Sequence, residues 1–100
     1  FQKEETFVRI GSTEVDLASC QVRTNGRPVE LTRQEFQLLH TLIIHKNMAL
    51  SREQLLDLAW GRDFLGDIRT VDVHIQRLRK KLHLESSIKT VYKLGYRLEC

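Results

Sequence analysis

The residues whose types and spacing could do chemistry are concentrated between positions 67 and 83. This segment holds five basic residues against two acidic ones, and that excess equals the net charge of +3 of the whole 100-residue chain. The basic residues are Arg69, Arg77, Arg79, Lys80 and Lys81. Clustered guanidinium and ammonium groups bind and neutralise phosphate oxygens, while the rest of the chain is near neutral. The charge distribution therefore indicates one local phosphate-binding surface.

The same segment predicts a helix with two different faces when its residues are placed at 100° intervals. One face carries the apolar residues Val71, Ile75, Leu78 and Leu82. The opposite face carries Arg69, Val73, Gln76, Arg77 and Lys80. Such a helix can pack on a core with one face and place the other in a DNA major groove, which is wide enough to admit it. The alternative for the basic run is a solvated helix face with no partner.

Sites for catalysis, cofactors or metals are not indicated. The four histidines, His40, His45, His74 and His83, form no i, i+4 pair and have no nearby cysteine partner. Ser51 lacks the glycines of a nucleophile elbow, and the chain has neither a phosphate-binding loop of the P-loop type nor a dinucleotide fingerprint. We therefore expect no enzyme, no cofactor and no metal. Cys20 and Cys100 are expected to be free thiols in a reducing compartment, with a disulfide between them as the alternative.

Length and hydropathy predict a single domain that does not span a membrane. One hundred residues suit one modest core, and no apolar run approaches the ~18 residues that a membrane span requires. Residues 1–8 are polar and acidic, unlike a signal peptide. Because the chain starts without Met, we expect it to be a fragment of a longer protein.

Residues 1–31 predict a four-stranded antiparallel sheet. Phe7, Ile10 and Val15 are among the apolar residues in its short, partly alternating runs. Asn25-Gly26 is the strongest turn signal, because both residues tolerate the positive φ of a type I′ hairpin turn. Pro28 cannot donate a ladder hydrogen bond, so the strand after this turn is expected at an edge.

Residues 32–84 predict three helices. Thr32 to Glu35 and Ser51 to Gln54 each form a capping box, so helices should begin there and run to about Lys46 and to Trp60. A loop from Gly61 to Gly66 follows, and Asp67 is the expected N-cap of a third helix over about 67–83. The second and third predicted helices form a helix-turn-helix-like pair with a long turn.

Residues 88–99 predict a basic β-hairpin with a turn at Gly95 and with Tyr96 in the core. Lys89, Lys93 and Arg97 provide cations for phosphate. The predicted fold is therefore α+β: a winged helix-turn-helix with an N-terminal four-stranded antiparallel sheet, three helices and a C-terminal hairpin wing. This arrangement allows the third helix to fill the major groove while the hairpin reaches the adjacent backbone or minor groove.

The segments SREQLLDLAWGRDFLGDIRTVDVHIQRLRKKLH and IKTVYKLGYRL closely resemble the DNA-binding effector domain of OmpR/PhoB-type response regulators, and LTRQEFQLLHTLIIHKN resembles its first helix. The similarity extends over nearly the whole chain from about Phe7. It implies a cytoplasmic transcription regulator of a two-component phosphorelay, whose receiver domain, absent here, is phosphorylated by a sensor kinase. It also implies a tandem dimer on promoter direct repeats, roughly 10–11 bp apart, on one DNA face.

The resemblance assigns roles to the third helix. Arg69 and Thr70 match positions that usually contact the phosphate backbone. Val73 and Arg77 match base-facing positions, where Val73 would contact a thymine methyl and Arg77 would pair with guanine or reach phosphate. Groove-flanking positions are matched by His74, Gln76, Arg79 and Lys80, with phosphate as the expected contact of Arg79. Some relatives carry Arg where Gln76 stands, so Gln76 either weakens non-specific affinity or reads adenine.

The wing departs from the sequence TVRGxGY that some relatives carry. Tyr92 stands in place of an Arg that enters the minor groove, and Lys93 replaces a Gly. Whether the wing reads the minor groove therefore stays open. Tyr92 could instead bind a phosphate, with Thr90 as a donor and Lys93 as the cation.

The loop from Gly61 to Gly66 matches a segment through which some family members contact RNA polymerase. Arg62, Asp63 and Phe64 are the candidate contacts, and the alternative is that Phe64 and Leu65 fill the core beneath the loop. Two rival functions also remain. A winged-helix protein–protein interaction module would bind little DNA even at low salt, and a His-dependent hydrolase would need a convergent polar pocket.

Overall fold

The computed structural model describes residues 7–99, which form two antiparallel sheets and three helices. The N-terminal sheet has four strands in sequence order: β1 (Phe7–Ile10), β2 (Thr13–Asp16), β3 (Gln21–Thr24) and β4 (Arg27–Val29). This confirms the predicted four-stranded sheet, although the first six of the residues assigned to it lie outside the described part of the chain.

The Asn25-Gly26 turn forms as predicted. Both residues have positive φ, 55° and 79°, and β3 and β4 pair on either side of them. Pro28 has no backbone N–H to donate to a neighbouring strand. An edge strand has no neighbour on one side, so it tolerates a proline. β4 is indeed an edge strand, so the single proline is compatible with the sheet.

Helices α1 (Arg33–Ile44) and α2 (Arg52–Trp60) begin at the two predicted capping boxes. The Glu35 amide donates to Thr32 Oγ1 at 3.2 Å, and the Thr32 amide donates to Glu35 Oε1 at 2.9 Å. Ser51 and Gln54 make the same reciprocal pair. Each box satisfies two donors that a helix start leaves without a partner. The first helix ends two residues before the predicted Lys46.

The third helix, α3, spans Arg69–Leu82, slightly shorter than the predicted 67–83. The prediction of Asp67 as its N-cap is wrong: the N-cap is Ile68, which has helical backbone angles and makes no side-chain cap bond. The Asp67 carboxylate instead accepts the Arg69 amide at 3.0 Å. At the other end, Thr13 Oγ1 donates to the Leu82 carbonyl at 2.8 Å, so the N-terminal sheet supports the end of α3.

A second sheet has the strand order β5-β7-β6 and contains the wing. Its strands are β5 (Leu50–Ser51), β6 (Ile88–Val91) and β7 (Gly95–Leu98). The predicted turn at Gly95 is wrong, because Gly95 is the first residue of β7 and the turn covers residues 92–94. A Cβ at Gly95 would lie 2.1 Å from the Leu50 carbonyl oxygen. Glycine is therefore required by the close approach of β5, a pairing that the sequence did not predict.

One core joins both sheets and all three helices. The predicted core residues Val71, Ile75, Leu78 and Leu82 are fully buried, and Tyr96 is 4 % exposed. Trp60 is only partly buried and packs against this core. The predicted fold class is confirmed. Within residues 7–99, none of the helices combines the length and the apolar character needed to cross a membrane.

Candidate nucleic-acid interface

Helix α3 separates an apolar face from an exposed polar face, as its periodicity predicts. The apolar face is fully buried, and Val73 on the opposite side is 47 % exposed. We define the outer face of α3 as five exposed residues: Arg69, Val73, Gln76, Arg77 and Lys80. The buried face fixes the rotation of α3 about its own axis, so the side chains of the outer face are held toward the solvent.

Arg69 at the start of the outer face is paired with Asp67. Its Nε and Nη2 donate to Asp67 Oδ2 at 3.0 and 2.9 Å. The backbone amide of Arg69, followed by its side chain, lowers the pKa of the Asp67 carboxyl. Both side chains are more than half exposed, so the pair is screened by solvent and worth little to the fold. Arg69 can therefore exchange this carboxylate for another anion.

Thr70 and His74 lie at the flank of α3 next to helix α2. His74 Nδ1 donates to the Thr70 carbonyl at 2.9 Å, and its ring meets Trp60 edge to face at 5.0 Å. Both residues are half-buried. These contacts fix the imidazole ring at the edge of the outer face.

Arg79 joins α3 to the wing. Its Nε and Nη2 donate to the Ile88 carbonyl at 3.2 and 2.8 Å, Nη2 also donates to Thr90 Oγ1 at 2.9 Å, and its guanidinium lies 5.4 Å from the Tyr96 ring centre. Multiple bonds and a cation–π contact hold this side chain in place. The expected phosphate contact of Arg79 stays a prediction, and its bonding within the fold is an additional role that the sequence did not reveal.

Lys81 joins α3 to the start of α1. Its Nζ donates to Glu35 Oε1 at 2.7 Å, and the Glu35 side chain is 1 % exposed. Burial raises the pKa of Glu35, but the hydrogen bonds from Lys81 and from the Thr32 amide outweigh burial and lower it overall. Glu35 therefore stays ionised. Of the basic run 77–81, only part is available to a ligand.

Asp72 is a structural hub that sequence reasoning missed. Its Oδ1 accepts from Arg52 Nε at 2.8 Å and from the Tyr96 hydroxyl at 2.6 Å, which connects α3, α2 and β7. Burial and then the hydrogen bond to Asp72 raise the pKa of Tyr96, so the phenol stays protonated and donates. The available signal was a single acidic residue inside the basic third helix, directly before the base-facing position of Val73.

The tip of the wing presents Tyr92 and Lys93 to solvent. Tyr92 is 84 % exposed, and Lys93 Nζ lies 5.4 Å from its ring centre. Lys93 has φ +60°, a left-handed conformation that glycine adopts with less strain. Thr90 is exposed and accepts from Arg79. The two wing residues that differ from some relatives are thus both at the accessible tip.

The loop between α2 and α3 exposes apolar side chains. Leu65 is 98 % exposed and Phe64 is 38 % exposed, with the Phe64 ring 6.2 Å from the Trp60 ring. The alternative that both residues fill the core is therefore wrong for Leu65 and only partly applies to Phe64. Arg62 and Asp63 are exposed in the same loop.

Comparison with known proteins identifies the family of this fold. The family model described as transcriptional regulatory protein, C terminal, matches residues 26–98. The chain belongs to this family. The resemblance to OmpR/PhoB-type response-regulator DNA-binding domains is thereby confirmed, and this is a family of regulatory domains rather than of enzymes. Among residues 7–99 there is also no group of three or more His, Cys, Asp or Glu that could hold a metal. Cys20 is free and exposed, and Cys100 lies outside the described residues.

Curated relatives and solved structures agree on this family. The transcriptional regulatory protein YclJ of Bacillus subtilis is 43 % identical, with 96 % of this chain and 44 % of YclJ covered. PrrA of Mycobacterium leprae is 45 % identical, with 89 % of this chain and 40 % of PrrA covered. The chain therefore spans about two fifths of the length of these regulators.

Two of the similar solved structures are DNA-binding domains of almost equal length. The DNA-binding domain of Bacillus subtilis CssR is 40 % identical with a TM-score of 0.78, and 87 % of this chain and 99 % of that domain are covered. The Klebsiella pneumoniae RstA DNA-binding domain in complex with the RstA box is 35 % identical with a TM-score of 0.79, covering 95 % and 98 %.

Proposed function

We propose that this chain binds double-stranded promoter DNA sequence-specifically, with the outer face of α3 in the major groove and the wing on the adjacent backbone. The observation that carries the proposal is the outer face itself. It presents three cations and two uncharged side chains on one side of a helix whose opposite side is fully buried. Phosphate contacts from cations position a protein on DNA, and base-edge contacts provide specificity.

The residues divide between these two kinds of contact. Val73 and Arg77 near the middle of the outer face are assigned to bases, and Gln76 lies on the same face. The phosphate contacts are assigned to Arg69, Thr70, His74, Arg79, Lys80, Thr90, Tyr92 and Lys93. The bonds of Arg79 to β6 support the simultaneous use of helix and wing, because they hold Thr90 beside α3.

Specific binding is proposed to need two copies on direct repeats about one helical turn apart. A single module of this size buries only about 600–1,000 Å² on DNA, which limits its affinity. The RstA domain, which this chain resembles over most of its length, has been solved with the RstA box. In the longer protein, a receiver domain phosphorylated by a sensor kinase would control the pairing of the two copies in the cytoplasm.

The exposed loop between α2 and α3 supports a further contact with RNA polymerase through Arg62, Asp63 and Phe64. Its exposed Leu65 would add apolar area to that contact. Removing this surface by Phe64→Ala should reduce transcription from a target promoter while leaving DNA affinity unchanged. Equal loss of both would contradict a polymerase role.

Selection of sites from a random duplex pool, followed by titration of the winning duplex across salt concentrations, tests the DNA-binding proposal. We expect an enriched direct repeat and an affinity that falls steeply on a log–log salt plot, because several phosphate contacts release counterions. An absence of binding at low salt would contradict the proposal and favour the protein–protein interaction module.

A further inference from the structure

We propose that two copies of this chain contact each other head to tail, with the loop between α2 and α3 of one copy seated in an apolar groove between α1 and the N-terminal sheet of the other. The loop and the groove lie outside the outer face of α3 and the wing, so the contact does not rest on DNA binding. It joins two different surfaces, and a contact of this kind relates copies that face the same way. Two copies on direct repeats also face the same way.

The groove is an opening at the edge of the core, between the N-terminal sheet and α1. It has a volume of about 570 Å³. Its apolar lining comes from the sheet, from the segment that leads into α1 and from α1 itself: Leu17, Val22, Val29, Leu31 and Phe36. All of these except Val22 are only partly buried, although they pack against the core. The described part of the chain therefore leaves apolar area in the groove uncovered.

The loop between α2 and α3 presents a matching apolar projection. Leu65 is 98 % exposed, and Phe64 and Ile68 are 38 % and 39 % exposed. Three exposed apolar side chains within five positions are typical of a contact surface rather than of an ordinary loop. Leu65 gains most from being covered, because nearly its whole side chain faces water.

The charges beside the two surfaces are opposite. Arg33 is an exposed residue of the groove lining, and Asp63 directly precedes the apolar residues of the loop. Within residues 7–99, neither side chain makes a hydrogen bond or an ion pair. An ion pair between Arg33 of one copy and Asp63 of the other therefore breaks no existing contact, and it orients the loop in the groove.

The contact is small, and this decides how it is tested. Stable interfaces bury about 1,200–2,000 Å², whereas this loop offers three exposed apolar side chains. We therefore expect a transient pair in solution that becomes populated when two copies are held close together. In each pair one loop is covered and the other stays free, so one loop remains for the proposed polymerase contact.

Cys20 provides a probe of the pair, because it is a free, exposed thiol that lines the groove. One copy carries Cys20→Ser, Cys100→Ser and Arg62→Cys, and its introduced thiol is activated as a mixed disulfide with 5-thio-2-nitrobenzoate. The second copy carries Cys100→Ser and keeps Cys20. Attack of the Cys20 thiolate on the sulfur at position 62 forms a disulfide between the copies and releases the coloured thiolate, whose absorbance gives the rate.

The rate should be about tenfold higher than with a matched copy that carries Arg27→Cys instead, because pairing brings the loop close to Cys20. Arg27 is also exposed, and its replacement removes the same charge. Adding Leu65→Asp to the Arg62→Cys copy should lower the rate to that of the control. Rates with glutathione correct for the intrinsic reactivity of each activated thiol. Equal rates for the two copies, or no effect of Leu65→Asp, would overturn the inference.

Reversal of the two charges tests the orientation of the loop. Asp63→Arg in the first copy, or Arg33→Asp in the second, should slow the reaction up to about 5-fold, and the two together should restore it. Arg33 is the first residue of α1, where an acidic side chain suits the helix dipole, so the variant should fold. Slowing without restoration would contradict the proposed seating of the loop. Because no DNA is present, failure of this contact leaves the proposed DNA-binding function standing.

Discussion

The outer face of α3 and its two flanks both carry arginine and lysine side chains, but the contacts of these side chains differ. Arg77 and Lys80 on the outer face are exposed, whereas Arg79 and Lys81, on opposite flanks of the helix, are bonded to the wing and to α1. The four residues lie within five consecutive positions. The basic run is therefore not one surface: the angular position of each residue on the helix decides whether its cation is exposed to solvent or bonded within the domain.

This difference has an energetic consequence. The flank cations satisfy a buried carboxylate and a backbone carbonyl, so their removal leaves groups in the protein without a partner. The outer-face cations face water and can be removed at little cost to folding. The free energy of unfolding and the free energy of DNA binding should therefore respond to different members of the run.

The largest effect is expected from Lys81→Met on stability. Glu35 would keep its charge in a buried site without its ammonium partner, which should lower the free energy of unfolding by about 3 kcal/mol. This is the low end for buried pairs because Lys81 is 38 % exposed. Urea unfolding measures the change, and Lys80→Met is the control with an expected change within about 0.5 kcal/mol.

The same pair predicts an acid dependence. The folded-state pKa of Glu35 lies below its ordinary value of 4.5, so its contribution is present above that value and lost as pH falls through the folded pKa. The stability difference between the unaltered chain and Lys81→Met should therefore shrink on acidification. A difference that stays constant from pH 7 to pH 3 would show that Lys81 stabilises the fold without the Glu35 charge.

The next largest effect is expected from Arg77→Ala on DNA binding. If Arg77 pairs with guanine, its loss should cost about 1–3 kcal/mol on the selected site and relax preference at one base pair. The free energy of unfolding should stay within about 0.5 kcal/mol. Competition with duplexes altered at single positions measures the preference. Unchanged affinity and preference would mean that Arg77 does not face the major groove.

Arg79→Met should have a smaller effect on each quantity but should change both the stability of the fold and the binding of DNA. Loss of the bonds to Ile88 and Thr90 should lower the free energy of unfolding by about 1–2 kcal/mol. DNA binding should weaken as the wing loosens. The salt dependence of binding distinguishes the roles: an unchanged slope indicates a positioning role only, and a slope reduced by about one unit indicates a phosphate contact as well.

The smallest effect is expected from Lys93→Gly. Glycine relieves the left-handed backbone at this position and should stabilise the fold by up to about 1 kcal/mol. Loss of the charge should weaken binding to all duplexes about equally and reduce the salt slope by roughly one unit. Lys93→Asn, which tolerates the same backbone and lacks the charge, should show the same loss of binding.

Local signals in the sequence were sufficient for most of the fold. Both capping boxes and the Asn25-Gly26 turn depend on neighbouring residues, and all three form as predicted. The pairing of β5 with β7 could not be read this way, since two residues carry no periodicity and their partners lie 46 and 44 positions later. Gly95 was consequently assigned to a turn when its actual constraint is that distant strand.

In the candidate site, too, local sequence signals were sufficient where a feature depends on neighbouring residues and insufficient where it depends on distant ones. Helical periodicity predicted which residues of α3 are exposed, because burial depends on the face of the helix. The bonds of Arg79, Lys81 and Asp72 depend on where the wing, α1 and α2 lie in space, which no local pattern encodes. Asp67 was misassigned by one residue: its carboxylate accepts the Arg69 amide as an N-cap side chain would, but Ile68 has helical angles and is the N-cap, so α3 begins at Arg69.

The most direct test of the central claim is dimethyl sulfate footprinting of this chain on its selected duplex. The reagent methylates guanine N7 in the major groove and adenine N3 in the minor groove, so it reports which groove is occupied. We expect protection of guanine N7 in two clusters one helical turn apart, with the Arg77→Ala variant losing protection at one guanine in each. Protection confined to adenine N3, with guanine N7 fully reactive, would contradict the placement of α3 in the major groove.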